Sequence, residues 1–114
     1  LITETLLEQI KEILSENERL FTKLHKVGMQ YEAIDFDESG LYQEEEDIVL
    51  GRWQKLSSKI ALALNESLDD TNVKVVKKTA PNDYRLRLEC TPKEEEAFTL
   101  SIDYATVGEI AISV

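Results

Sequence analysis

The sequence predicts an α+β domain: two long N-terminal helices followed by a four-stranded antiparallel β-meander. Three observations predict it. Apolar residues recur every three or four positions over the first third of the chain. A second run at helical spacing follows an acidic connector. From residue 73 onward, apolar and polar residues alternate with a period of two. At 114 residues the chain suits a single domain spanning 1–114. A chain of that size hides roughly two-thirds of the surface its unfolded form exposes, so a core of its own is feasible.

The first helix is expected over residues 1–34. Leu6, Ile10, Ile13, Asn17, Leu20, Leu24, Val27, Tyr31 and Ile34 alternate steps of four and three without a break. This is a heptad pattern with Ile10, Asn17, Leu24 and Tyr31 at a, where an Asn sets register in coiled coils. Leu7, Leu14 and Phe21 occupy e positions and widen the stripe. A wide stripe packs inside a bundle or on a sheet, whereas a heptad seam serves self-association, here a homodimer through helix 1. The pattern fits both. Ile10, Ile13, Asn17, Leu20 and Leu24, with Trp53 in the second helix, are therefore the candidate interaction residues. His25, the only histidine, falls at a surface-type heptad position and is expected to be exposed.

An acidic stretch follows. Residues 32–47 hold eight acids and no base. Within them, the segment 35–46 has the spacing of a calcium-binding loop. Asp35, Asp37 and Ser39 would supply side-chain oxygens, Leu41 its carbonyl and Glu46 a bidentate carboxylate, with Gly40 at the sharp turn. With a helix on either side, the stretch resembles an isolated EF-hand, which implies Ca2+ as a ligand. The plainer reading is a solvated acidic connector between two helices.

The second helix is expected over 43–69, where Val49, Trp53, Leu56, Ile60, Leu64 and Leu68 recur at helical spacing and Asp69, Asp70 and Asn72 mark a turn. The sheet is expected over 73–114. Tyr84, Leu86, Leu88 and Cys90 alternate with Arg85, Arg87 and Glu89; Phe98, Leu100, Ile102 and Tyr104 alternate with Thr99, Ser101 and Asp103. Ile110, Ile112 and Val114 continue the period, and short connections imply a meander with one apolar face, covered by one or both helices. Arg85, Arg87, Lys74 and Lys78 would lie on the outer face, as a basic strip or an ordinary solvated surface.

Charge narrows the partners. The net charge is −10, and residues 1–70 carry sixteen acids against seven bases. Such a field repels phosphate backbones, so neither nucleic acid nor an anionic membrane is expected as a partner. A lone Cys90 allows no internal disulfide and suggests a reducing, intracellular setting, in the cytoplasm or nucleus. The chain begins at Leu1 and its last strand-like run stops at Val114, which points to an excerpt of a longer protein. A single His rules out a convincing zinc site or nucleophilic triad, and no Gly-rich phosphate loop is visible. The chain reads as non-enzymatic.

From about residue 49 the order is a helix, then strand-like runs at 72–79, 84–90 with Pro92 after it, 98–104 and 109–114. This resembles the coiled-coil-plus-RWD-like heads of kinetochore and spindle-checkpoint subunits. The resemblance implies a head that dimerises through its coil and docks partners on its sheet and neighbouring helices. It is a match of element order and assigns no functional residue. The expected function is thus a protein-interaction and oligomerisation domain within a larger assembly. The rivals are a calcium-responsive module and an acidic inhibitor or immunity-type protein that occupies a basic target surface.

Overall fold

Three helices lie across one face of a four-stranded antiparallel sheet. The computed structural model describes residues 4–35, 43–76, 84–106 and 109–113. The elements run α1 Glu4–Glu16, α2 Glu18–Asp35, α3 Gln43–Ser67, β1 Thr71–Val75, β2 Arg85–Pro92, β3 Phe98–Thr106 and β4 Glu109–Ser113. The α+β class and the strand order expected from the sequence hold, with the sheet ordered β1-β2-β3-β4.

The first expected helix differs in one respect. It is two helices, divided at Asn17. The cause is a local competition for carbonyls. The Asn17 side-chain Nδ2 donates to the Ile13 carbonyl at 2.7 Å, the acceptor that its own backbone N–H would use in an unbroken α-helix. That N–H donates instead to Leu14 at 3.1 Å, and the Leu20 N–H reaches the Asn17 carbonyl at 3.0 Å. Two bonds of 3₁₀ type replace the α pattern and let the chain change direction. Asn17 thus acts on its own helix, where the heptad reading has it setting register against another chain.

The heptad stripe is spent inside the molecule. Ile10, Ile13, Leu14, Phe21, Leu24 and Val27 are all buried in one core with Val49, Trp53, Ile60, Leu64 and Leu68 of α3. Leu20 is half-buried against the same core. The e-position residues Leu14 and Phe21 decide the matter, because a stripe that wide has to be covered on both flanks. The long α3 packs against α2, α1 and β1, and α2 also reaches β3.

The sheet supplies the other half of the core through strict alternation. Val73, Leu86, Leu88, Cys90, Leu100, Ile102 and Tyr104 face inward and are buried. The outer face is polar, and its charges are matched across strands: Lys74 lies opposite Glu89 and Arg85 opposite Asp103. The expected basic strip is therefore interleaved with acids at these positions, and Lys78 lies outside the described residues. A register shift between Asp103 and Thr106 places a bulge in the β3–β4 ladder, which bends the strand locally. Asp70, at φ 60° in the turn after α3, takes a left-handed conformation that Asp tolerates better than most residues. Its carbonyl accepts the Lys93 N–H at 2.7 Å, tying that turn to the end of β2.

Cys90 sits on the buried face, and burial pushes its thiol pKa up to about 11. Because the folded value lies above the ordinary 9.0, the neutral thiol favours the folded state. That contribution is intact below pH 9 and is lost as pH rises through about 11. Native protein at pH 8 is expected to react with an aromatic disulfide reagent far more slowly than urea-unfolded protein. Equal rates would show that the strand opens freely.

Candidate functional site

The surface between α2 and α3 concentrates charge of the sign opposite to the rest of the chain. Lys23 and Lys26 project from α2; Arg52, Lys55 and Lys59 project from α3; all five line one groove. Its floor is apolar, made by Val27 and Leu56, and its volume is about 360 Å³. The spacing explains the convergence. On α3, positions 52, 55 and 59 are three and four residues apart and share a face. On α2, positions 23 and 26 do the same. The two helices run antiparallel on either side of the connector, so both sets border one cleft. Five of the seven bases in residues 1–70 meet here.

The same face of α3 carries apolar residues in solvent. Ile48 is 56% exposed and Leu62 is 54% exposed. They are fourteen residues apart, close to four helical turns, and so lie on nearly the same side of the helix as Lys55, about 21 Å from end to end. Met29 on α2 is also largely exposed. The groove is thus cationic along its walls and apolar along its floor.

Beneath the groove, the helices are fixed to the sheet by a polar cluster inside the core. Trp53 Nε1 donates to the Tyr104 hydroxyl at 2.8 Å, with both side chains buried. His25 is half-buried, and its Nδ1–H donates to the Tyr104 carbonyl at 3.1 Å. The exposed position expected for His25 is corrected by this contact: α2 lies on the sheet, so a residue beside the a position still touches β3. Tyr84 packs edge-on to Tyr104 with ring centroids 6.1 Å apart. Gly28 makes the close approach possible. A Cβ there would stand 3.2 Å from the Tyr84 ring and 3.6 Å from the Tyr104 ring. Tyr104 is therefore the point at which α2, α3 and β3 are joined.

The interaction residues expected from the sequence have other positions. Ile10, Ile13, Leu24 and Trp53 are core residues, Leu20 is half-buried, and Asn17 is turned onto α1. For the calcium loop, Asp35 closes α2 and Glu46 lies in the first turn of α3. Asp37, Ser39 and Leu41 lie outside the described residues. Among the described residues, no group of three or more His, Cys, Asp or Glu is placed to hold a metal ion. The cationic groove was available in the sequence as the spacing Lys23–Lys26 and Arg52–Lys55–Lys59, but a sum of charges over the acidic N-terminal half conceals it.

Among the described residues, one buried polar atom has no hydrogen-bond partner. Ser57 is fully buried on α3, one turn after Trp53, and its Oγ makes no hydrogen bond. An unpaired buried hydroxyl costs stability and contributes none. Ser57→Ala is expected to stabilise the protein by about 1 kcal/mol, read from urea unfolding midpoints. A destabilised Ser57→Ala would mean that the hydroxyl has a partner in solution.

No described helix is long and apolar enough to cross a membrane. Compared with known protein families, curated proteins and solved structures, the chain gives no match.

Proposed function

We propose that the chain is a non-enzymatic protein-interaction domain acting as a subunit of a larger assembly. The observation that carries this reading is the α2–α3 surface, where an apolar-floored groove lies between the helices and Ile48 and Leu62 stand in solvent on α3. Large apolar side chains aligned on one helix face suit a protein contact. The heptad face of the N-terminal helices is occupied by the chain's own core, so the contact is assigned to α2 and α3. The element order, helices ahead of a four-stranded meander, is the pattern on which the sequence's resemblance to kinetochore-type heads rests.

The test is site-specific photocrosslinking in cells, with a photoreactive phenylalanine in place of Leu62 or, as a control on the outer sheet face, Thr99. A discrete adduct from position 62 and none from position 99 is the expected result. Indistinguishable smears from both positions would remove the assembly reading.

A second reading, a calcium-responsive module, draws support from element boundaries. α2 ends at Asp35, the first position of the loop pattern, and α3 begins at Gln43, three residues before the last ligand, Glu46. Titration calorimetry should then record heat at millimolar Ca2+ that disappears in Glu46→Gln. No heat from the parent protein ends this reading.

A further inference from the structure

The groove between α2 and α3 is specific in its chemistry. We propose that it docks an acidic amphipathic helix of a partner protein, whose apolar residues seat on Val27 and Leu56 and whose carboxylates meet the five surrounding cations. The proposal rests on the interaction-domain reading and gives its partner a chemistry.

Complementarity of charge is the first argument. Lys23, Lys26, Arg52, Lys55 and Lys59 border a cleft of about 360 Å³. The remaining eight bases of the chain face twenty-three acids, so everything outside the groove carries a net −15. An extended polyanion such as nucleic acid or an anionic bilayer would meet that wider field as well as the groove, and would be repelled. A single acidic helix is narrow enough to meet the groove alone. Exposed charges separated by more than about 8 Å are screened at physiological salt.

The apolar floor is the second argument. A phosphate group gains nothing from Val27 and Leu56, whereas a Leu or Phe side chain does. A polar rim around an apolar centre is the usual anatomy of a protein contact. A helix seated on that floor presents its anchors at i, i+3 or i+4 and i+7.

A second copy of this chain fits less well. Face-to-face pairing of two such grooves would set like charges against each other. The cost of that arrangement is not offset by the two small apolar floors.

The experiment uses the full chain and a fluorescent designed peptide of about 18 residues with leucines on one helical face and glutamates elsewhere. Fluorescence anisotropy is measured for this peptide, for a scramble that breaks the leucine face, and for single-stranded DNA. Binding to phosphatidylserine vesicles is measured by co-sedimentation. The amphipathic peptide should bind at least about tenfold more tightly than the scramble, and should weaken about tenfold or more between low and high salt. The double variant Lys55→Glu/Lys59→Glu, altered at two exposed sites that should not disturb folding, should lose at least about tenfold of that affinity at an unchanged melting temperature. Equal binding of the scramble, or indifference to the double variant, overturns the proposal. So does tighter binding to DNA or vesicles than to the peptide. Sedimentation of the parent as a dimer that the double variant dissolves would also overturn it, in favour of a second copy. The photocrosslink from position 62 separates the two failures. If the peptide fails while the crosslinked adduct persists, the interaction domain stands and only its acidic partner is lost.

Discussion

Trp53→Ala is expected to lose about 3–5 kcal/mol of stability, the range for deleting a buried large aromatic. Natural domains of this size hold about 5–15 kcal/mol in total, so the variant sits near the edge of folding. The size of the effect follows from where the indole lies. Trp53 is 3% exposed, and it fills the junction of α3 with β3 while its N–H donates to Tyr104. Removing it leaves a cavity and strips the Tyr104 hydroxyl of that donor. Urea unfolding followed by far-UV circular dichroism measures the loss, because the natural fluorophore is gone. Tyr104→Phe isolates the hydrogen bond and should cost about 1 kcal/mol. A loss under 1 kcal/mol in Trp53→Ala would mean that the indole is solvated and the α3–β3 junction loose.

Asn65→Ala is the second large effect, and it acts at the sheet's first edge. Asn65 Nδ2 donates to the Val73 carbonyl at 2.9 Å, and the Val73 N–H donates back to Asn65 Oδ1 at 2.7 Å. The side-chain amide thus stands in for a neighbouring strand at that residue. Two bonds at about 1 kcal/mol each, less about 0.5 kcal/mol of helix propensity gained by alanine, leave a net loss of about 1.5 kcal/mol. Hydrogen exchange adds a local readout: the Val73 amide should lose protection before the rest of β1. The opened edge should also raise aggregation on heating, since unpaired strand edges recruit other chains. An unchanged Val73 exchange rate would show that water serves as well as the amide.

Much of this architecture could be read from the sequence because it rests on periodicity. The alternation from Leu86 to Tyr104 identified the inward residues of β2 and β3, and the run from Val49 to Leu68 identified α3's buried face. What escaped was decided by single side chains or by placement between elements. Asn17 breaks a helix through one bond to a carbonyl four residues back, and a heptad count has no symbol for that. The contact of His25 depends on how α2 tilts onto β3. Asn65 reads as an ordinary polar helix residue until β1 is known to run beside it. The groove escaped because net charge is a sum, and the eight acids of residues 32–47 outweigh five bases that lie close together in space.

The meander order has a kinetic meaning. Each strand pairs with the one just before it in the chain, and α3 packs on α2 before it and on β1 after it. Most of the fold can therefore grow by adding a segment to its immediate predecessor, with short loops to close at each step. Loop closure of this kind is entropically mild, and topologies built from near-neighbour contacts fold fast for their size. The long-range exceptions include α1 on α3, α2 on β3 through His25 and Tyr104, and α3 on β3 through Trp53 and Tyr104. Stopped-flow refolding should therefore be quick. Variants at the α2–β3 seam should mainly speed unfolding, since those contacts close last.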